Sequence, residues 1–505
     1  MADGSMRLSY GQLGGLARTC ARRLAEAGIT GAGPIALYSD NRPEFVVALL
    51  AAWAAGAVAV PIDPQLTGPE IRGRLDAVGA AGVLLPRRLR ERYPADAGPV
   101  PAWALDIDAA RGEVTIAGPG RSSTTSENVT PARNREAGAA QDPGRALLMF
   151  TTGSTGTPKI VPLTHVNLAA SVAGIRSALR LGAGDATLLA MPLFHGHGLV
   201  AGLLATLASG GAAYLPATGR FSAHRFWEEI AGTGSTWYTA VPTVHQILLA
   251  RAAAEYPAAR PPALRFIRSS SAALAPAVLR QTEAHFGAPV IQAYGMTETA
   301  HQAASNPLPR DGACKEGSVG RATGLQIRIG TGSAEPAAAG ETGEVCVRGP
   351  ALTAGYLNDP QATAAAFTGG WFRTGDLGCL DSDGYLFLSG RTRDMINRGG
   401  EKIAPEAVDA VLLSYPAVQD ALAFAVPDAE YGEEINAAVI LQPGRQATQA
   451  DLQEHCRARL AAFEIPKKIY FVHRFPRTSK GDGDRRALAA ALTPAGSGRS
   501  PLPGR

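Results

Sequence analysis

The sequence predicts an α/β protein with a smaller α+β unit towards its C-terminal end. Three observations carry that reading. Residues 1 to about 110 alternate amphipathic helical patterns with short apolar runs, the grammar of βαβ units. Short strands punctuated by glycine precede residue 390, as in a barrel-like subdomain. Beyond residue 390 the texture changes to two amphipathic helices around two strands. A chain of 505 residues is also too long for one hydrophobic core, so two or more domains are expected.

The elements follow in order. "LSYGQLGGLARTCARRLAEAGI" has the 3.6-residue period of a helix with one apolar face. "GPIALYSD" and "GVLLPRR" read as buried strands. The longest apolar run, "VVALLAAWAAGAVAVPI", is rich in alanine, interrupted by Gly56 and ended by Pro61. It reads as a buried helix running into a strand, not as a membrane span. Residues 119–144 are polar and without period, a surface loop before the strand "ALLMF". "GEVCVRGP" and "GYLFLSG" are the glycine-punctuated strands. In the last unit, "PEAVDAVLLSYP" and "DLQEHCRARLAAF" are the helices, and "DALAFAVPD" and "NAAVILQP" the strands. The expected domains are 1–389 and 390–494, followed by a disordered tail over 495–505.

Composition narrows the function. The hydrophobic fraction of 46% and charged fraction of 18% are those of a soluble globular chain. A net charge of +4 over this length does not suit nucleic-acid binding. The five cysteines form no C-x-x-C pair and read as reduced thiols in a cytosol. The opening "MADGSMRLSYGQL" has no apolar core of a signal peptide, so a cytoplasmic location is expected.

"MFTTGSTGTPK", Met149 to Lys159, leaves an apolar strand for a loop of glycines and hydroxyls. Glycines let the backbone turn tightly, so that amides and hydroxyls face phosphate oxygens. It is not a Walker loop, which requires G-x-x-x-x-G-K-[ST]. The string closely resembles the phosphate loop of adenylate-forming enzymes: acyl-CoA synthetases, carrier-protein adenylation domains and luciferases. "AYGMTET" (Ala293 to Thr299), "WFRTGDL" (Trp371 to Leu377) and "GRTRDMINRGGEKIAPEAVD" (Gly390 to Asp409) resemble further motifs of that superfamily, in its order.

The resemblance implies a large N-terminal domain of two α/β subdomains plus a β-barrel, and a small mobile α+β C-terminal domain. It implies that Thr152, Gly153, Ser154, Thr155, Gly156 and Lys159 hold phosphates, and that Ala293, Tyr294 and Gly295 line the adenine pocket. Thr297 would touch the α-phosphate. Glu298 would hold the Mg²⁺ needed if adenylation occurs. Asp376 would accept both ribose hydroxyls as an ionised carboxylate, although an aspartate in "TGDLG" also suits a β-turn. Arg391 would reach the ribose from the second domain. Arg393 falls at the hinge about which that domain rotates between half-reactions. Arg398, Gly399 and Gly400 would line the CoA tunnel, where glycine admits a thin pantetheine arm close to the backbone.

Within the superfamily, "MPLFHGHGLVAGLL", "GRFSAHRFW", "WYTAVPTVHQILL" and "RFIRSSSAALAP" are similar to oxalate-CoA and related small-acid CoA ligases. The similarity places His195, His197, Ser271 and His301 around the acyl group, with His195 also at the aromatic gate that admits the thiol. A histidine pair that is merely packed and hydrogen-bonded is the alternative for "FHGHG".

One motif departs from the pattern. The superfamily ends on P-[KR]-T-x-S-G-K-x-x-R. Here Pro476, Arg477, Thr478, Gly481 and Arg485 keep register, but Lys480 replaces the serine and Asp482 the lysine. That lysine bridges the carboxylate and the α-phosphate as charge builds up during adenylation. Losing one preorganised donor of this kind costs about 3–4 kcal/mol, or about 10²–10³ in rate. Lys480 would have to compensate for a slip of roughly 6–7 Å in Cα position. The superfamily's other lysine nearby is Glu464 here. Thioester formation does not need the lysine, since the adenylate is already activated and the loop is then turned away. The pattern is similar to non-adenylating acyl-CoA ligation in platensimycin-type diterpenoid antibiotic biosynthesis.

The sequence therefore predicts acyl-CoA formation from acyl-AMP and CoA, possibly with a separate adenylating enzyme as partner. A complete ATP-dependent ligase using Lys480 is the alternative, and a non-catalytic nucleotide-binding homologue the third reading.

Overall fold

The computed structural model describes residues 6–29, 33–108, 110–118, 144–151, 158–257, 259–330, 337–392, 394–477 and 483–493. The expectations for Thr152, Gly153, Ser154, Thr155, Gly156, Arg393, Lys480, Asp482 and the tail 495–505 lie outside these residues.

The first helix, Tyr10–Glu26, starts at a reciprocal cap: Ser9 Oγ accepts from the Gln12 amide and Gln12 Oε1 accepts from the Ser9 amide. Its buried Leu13, Leu16, Cys20 and Leu24 recur at helical spacing and share a core with the helix Pro43–Ala54. The longest apolar run forms that buried helix and, past Gly56 at φ +69°, the strand Ala59–Ile62. Among the described residues no helix is long and apolar enough to cross a membrane.

Two seven-stranded sheets form the bulk of the protein. In the first, Ile35–Tyr38 pairs in parallel with Ala59–Ile62 and Gly82–Pro86. Its other end is an antiparallel pair, Arg145–Phe150 with Ile160–Thr164, and the phosphate-loop sequence joins these two strands. In the second, Phe266–Ser269 pairs in parallel with Trp237–Ala240 and Val290–Tyr294. These strands are buried on both faces, which explains their continuous apolar runs. The carboxyl ends of such strands open the crevice where α/β folds bind ligands.

The third sheet, the one read as barrel-like, is five-stranded and antiparallel. Its strand Leu386–Arg391 pairs with Trp371–Leu380, with Arg391 opposite Asp376. This corrects the expectation that Arg391 approaches from the second domain: the strand runs through Arg391, so the sheet itself carries it.

The C-terminal unit has its own sheet, built on Val418–Asp428 paired antiparallel with Gly432–Leu441. The helices Pro405–Leu413 and Gln449–Arg457 cover it, and Val408, Leu412, Val439, Leu452 and Cys456 form its core. The last helix, Arg485–Leu492, is tied down by Arg485, which donates to the Ala423 carbonyl at 2.6 Å and pairs with Asp409 at 2.7 Å.

Candidate active site

The residues expected around the nucleotide come from two sheets. Tyr294 ends the strand Val290–Tyr294 and donates its hydroxyl to Asp376 Oδ2 at 2.5 Å. Arg391 Nε pairs with Asp376 Oδ1 at 2.7 Å. Burial, and then the Asp376 charge, pushes the Tyr294 phenol well above its ordinary value, so it stays a donor. Each carboxylate oxygen can accept more than one hydrogen bond, so Asp376 keeps capacity for ribose hydroxyls. Gly295 follows because nothing larger fits: a Cβ there would lie 1.6 Å from the His301 carbonyl oxygen. Ala293 is buried beside it and its carbonyl accepts from Ser270 Oγ at 2.9 Å.

Thr297 and Glu298 lie on the single helical turn that follows, Thr297–Thr299. Tyr356 donates to Glu298 Oε1 at 2.9 Å, and Lys159 Nζ stands 4.4 Å from the centre of the Tyr356 ring. Lys159 and Glu298 thus flank one tyrosine at the end of the phosphate loop. No group of three or more His, Cys, Asp or Glu among the described residues is placed to hold a metal by itself. A lone, partly buried Glu298 fits Mg²⁺, which binds through one or two carboxylates plus substrate phosphates. When bound, such an ion neutralises phosphate charge.

The residues expected around the acyl group lie just past the carboxyl ends of the second sheet's strands. His197 Nδ1 is 3.0 Å from Ser271 Oγ, and its Nε2 is 2.6 Å from Thr239 Oγ1. The His197 and His301 rings stack, with centroids 4.9 Å apart. Burial, followed by His301 and Arg268 nearby, holds His197 well below the usual histidine range, so it is neutral at physiological pH. Asn41 holds the preceding segment: its amide donates to the Leu189 and Met191 carbonyls and its oxygen accepts from the Leu193 amide. Gly198 is required by the same packing, since a Cβ would stand 2.3 Å from the Pro192 carbonyl oxygen. His195 lies in that turn, its ring 4.7 Å from the Phe194 ring, and residues His197–Leu204 continue as a π-helix. Such turns concentrate at functional sites.

Backbone strain concentrates here too. Ser271 has φ +76°, Ala300 +48° and His301 +90°, all non-glycine residues in the left-handed region. Sequence reasoning missed the group at the centre. Arg268 is fully buried and donates to Thr239 Oγ1 at 3.1 Å and Gln302 Oε1 at 2.9 Å. It also approaches His301 Nε2 at 3.1 Å and His197 Nε2 at 3.4 Å. The available signal was an arginine inside the apolar strand "RFIRS", where unpaired charge is rarely tolerated.

Arg398, Gly399 and Gly400 form a hairpin between the strands Ile396–Arg398 and Glu401–Ile403. Both glycines have positive φ, +60° and +98°, as a two-residue hairpin turn demands. The turn alone therefore accounts for the glycine pair. Arg398 pairs with Glu434 at 2.6 Å and lies over the Tyr431 ring, both in the C-terminal unit. At the start of the final motif, Arg477 donates to Thr243 Oγ1 at 3.1 Å, on the helix Pro242–Glu255 of the second sheet's layer.

Residues 1–357 match the AMP-binding enzyme family, and residues 407–482 match the AMP-binding enzyme C-terminal domain. The chain is 44% identical over 490 residues to an oxalate–CoA ligase of Arabidopsis thaliana, covering 96% of this chain and 94% of that protein. It is 37% identical over 487 residues to a sulfoacetate–CoA ligase of Cupriavidus necator, covering 96% and 93%. Among solved structures, ATP-bound MatB from Rhodopseudomonas palustris superposes with a TM-score of 0.81 at 26% identity, covering 97% of this chain and 94% of that one. The o-succinylbenzoate CoA synthetase of Bacillus subtilis, in complex with its acyl-adenylate intermediate, gives 0.78 at 28% identity, covering 98% and 95%. The chain belongs to the AMP-binding enzyme family, within the adenylate-forming superfamily, and its relatives there are acid–thiol ligases.

Proposed function

We propose that this protein forms an acyl-CoA thioester from a preformed acyl-adenylate, and that its ATP-dependent adenylation step is lost or weak. The carrying observation is Asp482, an acid at the one position where adenylation needs a cation and thioester formation does not. The rest of the machinery argues for retained chemistry: Tyr294, Asp376 and Arg391 are joined in one network, and His197, Ser271 and His301 in another. In the retained step the CoA sulfur, having released its proton to solvent, attacks the acyl carbon. The bond from that carbon to the phosphate oxygen breaks and AMP leaves. Asp376 holds the nucleotide, and the acyl pocket orients the carbonyl. The names of the relatives favour a short acid with a second acidic group.

The second reading is a complete ATP-dependent ligase in which Lys480 supplies the cation, with Mg²⁺ at Glu298. The overall similarity to proteins named as ligases favours it. Two assays separate the readings: acyl-AMP plus CoA, and carboxylic acid plus ATP with pyrophosphate exchange. The first reading expects ready thioester formation and little exchange. It also expects Lys480→Ser with Asp482→Lys to raise exchange by roughly 10²-fold. Brisk wild-type exchange that disappears in Lys480→Ala would overturn it in favour of the second.

A further inference from the structure

Arg268 stands in the middle of the cluster, and among the described residues no acidic side chain hydrogen-bonds to it or pairs with it. It is 0% exposed. Its hydrogen-bonding neighbours, Thr239, His197, His301 and Gln302, are all uncharged. Arginine does not deprotonate in proteins, and a buried cation without an anion is costly to the fold. Such a group persists where a ligand supplies the missing charge or where it organises the groups around it. Here the geometry supports both.

The guanidinium can only donate. Its Nη2 lies 3.1 Å from His301 Nε2, so that nitrogen presents a lone pair and the His301 proton sits on Nδ1. Its Nη1 donates to Thr239 Oγ1, and the threonine hydroxyl then gives its own hydrogen to His197 Nε2 at 2.6 Å. His197 is thereby protonated on Nδ1 and donates to Ser271 Oγ at 3.0 Å. Ser271, having accepted, turns its own hydrogen away from His197. Its residue is exposed at the strand end, so that hydrogen is offered to whatever enters the pocket. A chain of four groups thus carries the direction of the arginine's donors to the pocket wall. Gln302 braces the other side, its amide donating to Thr323 Oγ1 at 3.0 Å while its oxygen accepts from Arg268.

We propose that Arg268 is a positioning residue that fixes His197 and His301 as neutral Nδ1–H tautomers, and that its uncompensated charge makes the pocket select acyl groups bearing a second anionic substituent, a carboxylate or sulfonate close to the activated carbonyl. This rests on reading the cluster as the acyl pocket. It goes beyond that reading by assigning the selectivity to a residue behind the pocket wall. An acyl group with only apolar substituents would leave the cation unbalanced and the Ser271 donor unused.

The test uses the full-length protein and two non-hydrolysable acyl-adenylate mimics, the N-malonyl and N-acetoacetyl sulfamoyl adenosines, which differ by a carboxylate against a methyl ketone. Calorimetry on the wild type should show the malonyl mimic bound about 10- to 10²-fold more tightly, the range of one charge-assisted hydrogen bond. Arg268→Met should remove this preference while retaining AMP binding, and Arg268→Lys should keep part of it. Nitrogen-15 NMR of labelled wild type should find His197 and His301 protonated on Nδ1 at pH 7. Equal affinity for the two mimics, or a His301 proton on Nε2, overturns the proposal while leaving the acyl-CoA reading intact. Failure of the wild type to bind AMP or either mimic overturns that underlying reading instead. If Arg268→Met does not fold, the wild-type comparison and its NMR decide.

Discussion

Replacing Asp376 with alanine tests the nucleotide side most directly. Its carboxylate is about 5% exposed and anchored by Tyr294 on one oxygen and Arg391 on the other. A carboxylate held in this way loses no rotamer freedom when a ribose arrives. Each charge-assisted hydrogen bond it accepts from a ribose hydroxyl is worth about 1.5–3 kcal/mol. Two such bonds at the lower end total about 3 kcal/mol, or roughly 10²-fold in Kd. The variant also strands its neighbours unequally. The Arg391 side chain is 45% exposed and can be solvated, whereas the buried Tyr294 hydroxyl loses its acceptor. An unmet buried hydroxyl costs about 1–3 kcal/mol of stability, so a fall in Tm should accompany the loss of affinity. Asp376→Asn keeps the shape and one acceptor oxygen and should fall between wild type and alanine. The assay is calorimetric titration with AMP on protein checked for folding by circular dichroism. AMP affinity within threefold of wild type in Asp376→Ala would refute the placement of the nucleotide.

Two further outcomes follow from the geometry. Gly400→Trp should abolish thioester formation from supplied acyl-AMP while sparing AMP binding. A Cβ at Gly400 meets nothing within 4 Å, so the change adds bulk at the hairpin tip and strains only the local φ of +98°; full transfer activity in this variant would remove the hairpin from the CoA path. Burial depresses His245 to about 4, below the ordinary histidine value of 6.5. Its neutral form therefore contributes stability that is present above pH 6.5 and lost as pH falls towards 4. The loss should approach about 3 kcal/mol, read as the difference between wild type and His245→Leu in urea midpoints across that window. Parallel pH profiles for the two proteins would show that His245 is protonated in the folded state.

How much was legible in the sequence depended on how local the cause was. The helix Tyr10–Glu26 and the strands Ile35–Tyr38 and Gly343–Arg348 follow from short-range period and punctuation. The apolar run from Val46 to Ile62 was readable as helix then strand because Gly56 and Pro61 mark the change. The grouping of His197, Ser271 and His301 came from the ordered motifs, since no local rule joins residues so far apart as His197 and Ser271, 74 positions away from each other. Arg391 was misplaced because a change of texture near residue 390 says nothing of which strand a side chain belongs to; only the register opposite Asp376 does. Arg268, Thr239 and Gln302 escaped because they lie on separate segments, two adjacent strands and the loop beyond a third. Their chemistry exists only once three parallel strands bring their ends together.

The two halves of the site are joined by one short segment. Tyr294 belongs to the proposed nucleotide side and His301 to the proposed acyl side, and the chain between them doubles back tightly. The Ala303 amide donates to the Tyr294 carbonyl at 2.8 Å, and the His301 amide to the Met296 carbonyl at 3.0 Å. Gly295 is pressed so closely under His301 that no side chain can be inserted. The positive φ values of Ala300 and His301 are the conformational cost of this return, roughly 1–3 kcal/mol for each strained residue. Strain of that size is retained when the surrounding structure over-determines it, and here the Ser171 hydroxyl pins the Ala300 carbonyl at 2.7 Å while Arg268 holds the His301 ring. A shift of Tyr294 is therefore felt at His301 with little slack between them. The same turn carries Glu298, fixed by Tyr356 and by the Thr353 amide on its carbonyl. On the proposed reading, nucleotide, phosphate and acyl contacts would thus be indexed to one another by eight consecutive residues, which would let an acyl-adenylate be held as a single rigid object at its one reactive carbon.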